Sequence, residues 1–174
     1  MSKSNILRQL ANLIGYITLQ AAFAQAIVPA HDALCFIYVG GILLLPWQRT
    51  GLVLQLLLAF VIGLIIDAFY NSLGIHAFAS VLMVYSKAFL LKLMLPASSY
   101  KLDARPTLNS MGFKKFSVFV LILLAIHHAA VFFLDAWDSA LYLISIRRVV
   151  LSTLLTYFVI CTVQSLPTLI ISNR

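Results

Sequence analysis

Residues able to carry chemistry are few in this chain and widely spread. Its 174 residues include four histidines, two cysteines, five aspartates and no glutamate. His127 and His128 are adjacent, and neighbours on a helix point about 100° apart, so the pair cannot grip one ion from a single face. No HExxH, no paired CxxC and no glutamate completes a metal set. The serines lie in no GxSxG elbow, and no glycine-rich loop could cradle a phosphate. A hydrolase or transferase would need at least a convergent carboxylate pair, and the aspartates are dispersed. Cys35 and Cys161 both fall in apolar segments and read as small core residues. The expectation is no catalytic residue, no metal and no cofactor.

Asp67 stands apart, because it lies inside the apolar run GLVLQLLLAFVIGLIIDAFY, residues 51–70. Gln55, Ala59, Gly63, Asp67 and Asn71 recur at a spacing of four in a stretch otherwise made of Leu, Val, Ile and Phe. Each step of four turns about 400°, so the stripe drifts only about 40° per step. Small residues at this spacing let membrane helices approach closely. A carboxylate there needs a partner or a water-lined face. Three partners are open to it: backbone N–H groups near Gly74 at the start of the next helix, His76 or a cation, or a ligand. The expectation is the first, a tie across the hairpin at the Tyr70-Asn71-Ser72 bend. His31, Asp32 and His76 fall on the same predicted side of the membrane as Asp67, and Asp67, Asn71, His76, His31 and Trp137 are the residues that could line a polar pocket.

The elements that position these residues follow from composition. The chain is 63% hydrophobic and 10% charged, against about 45–50% and about 25% in average soluble domains. Such a chain reads as an all-α polytopic membrane protein, a single integral membrane domain over residues 1–174. A net charge of +7 could suggest nucleic acid, but the basic residues sit between apolar runs, where they act as orientation signals. Six spans are expected, at about 11–28, 31–46, 51–70, 74–95, 116–134 and 149–171. AAFAQA at the end of the first run imitates a signal-peptidase site. Cleavage is not expected, because that run carries Asn12, Gly15, Thr18 and Gln20. The second run is the weakest, since fourteen residues from 33 to 46 rise only about 21 Å against a hydrocarbon core of about 30 Å. A short span is expected there, with a re-entrant segment as the alternative. Lys87 and Lys92 are expected to snorkel from the fourth span to one interface. Residues 140–146 and Arg147-Arg148 read as an interfacial turn or a bent lead-in to the last span.

Lysine and arginine are rich in alternate connections, above all in the loop 97–115 with Lys101, Arg105, Lys114 and Lys115. Both termini and that loop are therefore expected in the cytoplasm. Arg147-Arg148 is the dissent from this pattern.

These residues resemble a family. LLLP with a short basic turn, a span containing GLIID, a polar bend and LGIHAFA resemble the signature region of MreD, a small polytopic inner-membrane component of the bacterial rod-shape system, the elongasome. The family pattern is a glycine four before an aspartate, and about seven residues on a glycine closely followed by an alanine. Here these are Gly63, Asp67, Gly74 and Ala77. The resemblance is motif-level over residues 46–85 and only profile-level elsewhere. The basic loop and Arg147-Arg148 depart from it.

The resemblance implies a multi-pass protein of the bacterial inner membrane. It implies a non-catalytic scaffold subunit that binds an MreC-like bitopic partner and supports peptidoglycan synthesis during elongation. RodA, its penicillin-binding partner and MreB would be further partners, with membrane lipids and a second copy of the chain, and no nucleic acid. Gly63, Asp67, Asn71, Gly74, His76 and Ala77 would be the structural or partner-binding residues. MreD is also similar in architecture to the six-helix substrate-binding subunits of vitamin ECF transporters, so the alternative is a small-molecule-binding subunit of that type.

Overall fold

The computed structural model describes residues 14–20, 34–45, 51–94, 106–136 and 141–172, with side chains to residue 165. His31, Asp32, Trp137 and residues 97–105 of the basic loop lie outside the described residues. All regular structure among the described residues is helical: α1 (residues 14–20), α2 (Tyr38–Leu43), α3 (Leu52–Tyr70), α4 (Ile75–Met94), α5 (Leu108–Met111), α6 (Phe113–Asp135) and α7 (Tyr142–Ser172).

In hydrocarbon every backbone N–H and C=O must be satisfied within the protein, which long apolar runs achieve as helices. Four helices, Leu52–Tyr70, Ile75–Met94, Phe113–Asp135 and Tyr142–Ser165, are long and apolar enough to cross a membrane. The distribution of side chains agrees with an apolar solvent. Val53, Leu57, Phe60, Tyr85, Phe89, Leu93 and Phe158 are exposed, while Gln20, Gln55, Asp67, His76, Ser80, Lys87, His127 and His128 are buried. A water-soluble fold places these types the other way round. The polar groups face inward because only other parts of the chain can hydrogen-bond them.

The long helices pack in series, α3 on α4, α4 on α6 and α6 on α7, and α2 lies against α3 and α4. The short α5 is closed by a capping box, in which Thr107 Oγ1 accepts from Ser110 N–H and Ser110 Oγ accepts from Thr107 N–H. Gly112 follows at a φ of 74° and starts α6, a backbone conformation that glycine adopts without a Cβ penalty.

Three sequence expectations are corrected here. The second span, 31–46, is not a spanning helix in its described part. Residues 34–36 have no regular structure, and the helix that follows them, α2, has six residues and rises about 9 Å. Every residue of α2 is buried. Non-helical backbone at membrane depth is tolerated only where protein surrounds it, and here side chains of α1 and α7 take up its polar groups. Ser152 Oγ accepts from Leu34 N–H at 2.9 Å, Thr156 Oγ1 from Phe36 N–H at 3.2 Å, and Gln20 Oε1 from Tyr38 N–H at 3.4 Å. Gln20 Nε2 donates to Cys35 O at 3.1 Å.

Secondly, the last helix starts at Tyr142 rather than near 149, so Arg147 and Arg148 lie within regular helix and not in a turn before it. Ser145 helps to fix this early start by donating to Phe132 O of α6 at 3.3 Å.

Thirdly, Lys87 does not snorkel. It is fully buried, and Nζ donates to Ile42 O at 3.3 Å, Leu45 O at 3.0 Å and Gln55 Oε1 at 3.1 Å. Its stem points into the bundle because three inward oxygens are within reach. Lys92, five residues on, is exposed.

Candidate functional site

The residues singled out by sequence converge at the junction between α3 and α4. α3 ends where Asn71 turns left-handed at a φ of 52°, with its N–H on Asp67 O, and Ser72 N–H reaches the same carbonyl at 3.1 Å. Asparagine is one of the few non-glycine residues that tolerate this conformation, which is a common helix ending. Gly74 then takes a φ of 84°, and its carbonyl accepts the first helical bond of α4, from Phe78 N–H.

At that position the side chain of the residue normally accepts from N–H groups two and three places on. Gly74 has no side chain, and Asp67 of the preceding helix supplies the acceptors instead. Asp67 Oδ1 accepts from His76 N–H at 2.9 Å, and Oδ2 from Ala77 N–H at 3.0 Å. Hydrogen bonds to a charged group are worth about 1.5–3 kcal/mol each, and a helix N-terminus adds a favourable dipole. This is the hairpin tie expected from sequence, with the donors now identified as His76 and Ala77.

Gly63 makes the tie geometrically attainable. A Cβ on Gly63 would lie 2.3 Å from Ala77 Cα, 2.6 Å from Ala77 N and 2.8 Å from His76 O. The obstructing atoms are backbone, so no rearrangement of a side chain could make room. The four-residue spacing of Gly63 and Asp67 thus puts a contact point and an anchor one turn apart on α3. Both meet the first turn of α4.

Asp67 is 4% exposed and has further partners. Ser72 Oγ donates to Oδ1 at 2.5 Å, and His76 Nδ1 lies 3.1 Å from Oδ1 and 2.9 Å from Ser72 Oγ. A hydroxyl has one proton, and here it is committed to the carboxylate. His76 Nδ1 therefore carries a proton and donates. Serine, histidine and aspartate occur together, yet the arrangement is not a nucleophile triad. A triad places the hydroxyl on the imidazole nitrogen remote from the carboxylate, whereas Ser72 binds the carboxylate and the near nitrogen. The far nitrogen, His76 Nε2, is buried without a hydrogen-bond partner among the described residues. Its ring stacks on Tyr70 at 5.2 Å.

The structure brings Gly63, Asp67, Gly74, His76 and Ala77 together. Asn71 is exposed at the turn and acts through its backbone.

Sequence reasoning missed the residues across from this junction. Phe36, fully buried, sits among the rings of Tyr70, His76, His127 and His128 at 5.2–6.0 Å. Tyr38 OH bonds His127 Nε2 at 2.8 Å and lies 3.4 Å from Ser80 Oγ. The adjacent histidines serve different partners, for His128 Nδ1 donates to Leu124 O at 2.8 Å. Among the described residues no three metal-ligating side chains converge. The only signals that could have marked this cluster were the aromatic pair Phe36 and Tyr38 in a run too short to span, and the polar Ser152 and Thr156, four apart on α7. Neither identifies its partner. No protein-family model, no curated protein and no solved structure matches this chain.

Proposed function

We propose that the chain is a non-catalytic scaffold subunit of a bacterial cell-shape complex, seated in the cytoplasmic membrane and holding the membrane helix of an MreC-like partner. The observation that carries this reading is how the motif is used. Gly63, Asp67, Gly74 and Ala77 are the positions on which the likeness to MreD rests, and each has an internal, architectural role in joining α3 to α4. A motif spent on helix geometry supports a protein whose product is a shape. The vitamin-binding alternative is less well supported, because the chain's own Phe36 and Tyr38 occupy the polar and aromatic centre that such a ligand would need.

The partner does not contact the motif itself on this reading, since all but Asn71 of the six residues face inward or lie in the backbone of the turn. It rests instead on the outer apolar faces of the helices. Deleting the gene from a rod-shaped host should give round or widened cells, and an MreC-like protein should co-purify in mild detergent. Normal cell shape with loss of uptake of a vitamin would overturn the scaffold in favour of the alternative.

A further inference from the structure

Lys87 has no place in the scaffold reading and is the most deeply buried charge among the described residues. Among those residues no carboxylate pairs with it. Its three acceptors instead belong to two different elements. Ile42 O, which also accepts from Leu45 N–H at 3.3 Å, and Leu45 O lie at the C-terminal end of α2, and Gln55 Oε1 comes from α3. Lysine at a helix C-terminus satisfies such carbonyls and opposes the negative end of the helix. An ammonium withdrawn from lipid or water is costly, so a fold retains one only where its acceptors are fixed in space.

The segment it holds is weakly self-supporting. A six-residue helix lies far below the length at which helices persist alone. The irregular residues before it, and Tyr38 at its start, rely on Gln20, Ser152 and Thr156 for backbone hydrogen bonds. We propose that Lys87 is the clamp that seats residues 34–45 in the bundle, pinning the C-terminal end of the segment to α3 and α4 while α1 and α7 hold its other end. Through the segment Lys87 acts as a positioning residue for Phe36 and Tyr38, and so for the rings of His76, His127 and His128 around them. Loss of the ammonium frees the segment and leaves the long helices packed as before.

Cys35 is a native reporter, since it lies in the irregular stretch before α2 and is 7% exposed. With Cys161 replaced by alanine it is the chain's single thiol. In purified protein in mild detergent, labelling of Cys35 by a small maleimide should be slow for Lys87 and for Lys87→Arg, which keeps the cation. It should be at least about tenfold faster for Lys87→Met, the factor for losing one hydrogen bond to a charged group. A fold control carries Cys35→Ala and Ala59→Cys, placing the thiol on α3 at a position that is fully buried. That thiol should stay protected in Lys87→Met. Equal Cys35 labelling in Lys87 and Lys87→Met would overturn the clamp. So would exposure of both reporters together, which would make Lys87 a support of the whole bundle and not of this segment.

Discussion

Asp67 shows how much one side chain can do when its two oxygens serve different donors. A sequence argument expects Asp67→Asn to keep much of the function, because an amide oxygen still accepts a hydrogen bond. The geometry changes that expectation. Oδ1 and Oδ2 both accept backbone N–H groups, and an amide offers one oxygen and turns an NH2 toward the other donor. Asp67→Asn is therefore expected to cost about 1.5–3 kcal/mol, one hydrogen bond to a charged group. Asp67→Leu leaves the buried N–H donors of His76 and Ala77 both unpaired and is expected to cost about 3 kcal/mol or more. Thermal unfolding in detergent, with the yield of folded protein, gives the order wild type, Asn, Leu. An Asn variant as stable as wild type would show that one of the two bonds contributes nothing.

At the scale of elements, what could be read from sequence depends on distance along the chain. The α3–α4 hairpin was legible because its anchor and donors lie nine and ten residues apart, inside one window of pattern. The α2 region was not, because the acceptors of Leu34 and Phe36 come from residues 118 and 120 positions away. Length alone said that residues 33–46 were short for a span, but neither composition nor spacing distinguishes a short span from a buried non-spanning segment. Lys87 was misread for the same reason. A lysine late in an apolar run normally reaches the interface, and only the fold shows carbonyls waiting inside. The dependence of the irregular stretch before α2 on remote side chains is testable. Thr156→Val removes the acceptor of Phe36 N–H within nearly the same volume and should destabilise by about 1–3 kcal/mol, as for a buried donor left unsatisfied. Thr156→Ser should restore most of this, and a Thr156→Val protein that melts with the wild type would show that the hydroxyl is dispensable.

For the molecule as a whole, the polar interior and apolar exterior make the membrane reading physical rather than compositional. Orientation then rests on the basic connections. Leu73 at the α3–α4 turn is fully exposed, at 101%, and Lys114 at the start of α6 is exposed as well. Both are better sites for a probe than Asn71, whose left-handed backbone does not welcome other residues. Single cysteines at Leu73 and Lys114, in a chain without Cys35 and Cys161, should react with an impermeant maleimide from opposite sides, with Leu73 labelled from outside intact cells. Labelling of both from outside would refute cytoplasmic placement of the basic loop.

The acceptor that Gly74 lacks, and that α3 provides, bears on how this protein is made. A chain emerging from the ribosome presents Asp67 before the residues that bind it. At the middle of a bilayer a lone aspartate costs about 2.5–3.5 kcal/mol, and nearer a helix end it costs less. Nine or ten further residues bring the first turn of α4, and with it both N–H groups. The smallest fragment that can enter lipid with that charge answered is therefore the two-helix unit. A nascent chain arrested just short of His76 carries the carboxylate without either backbone donor. Release of α3 from the insertion machinery is then expected to wait for α4, making the hairpin a unit of biogenesis as well as of structure.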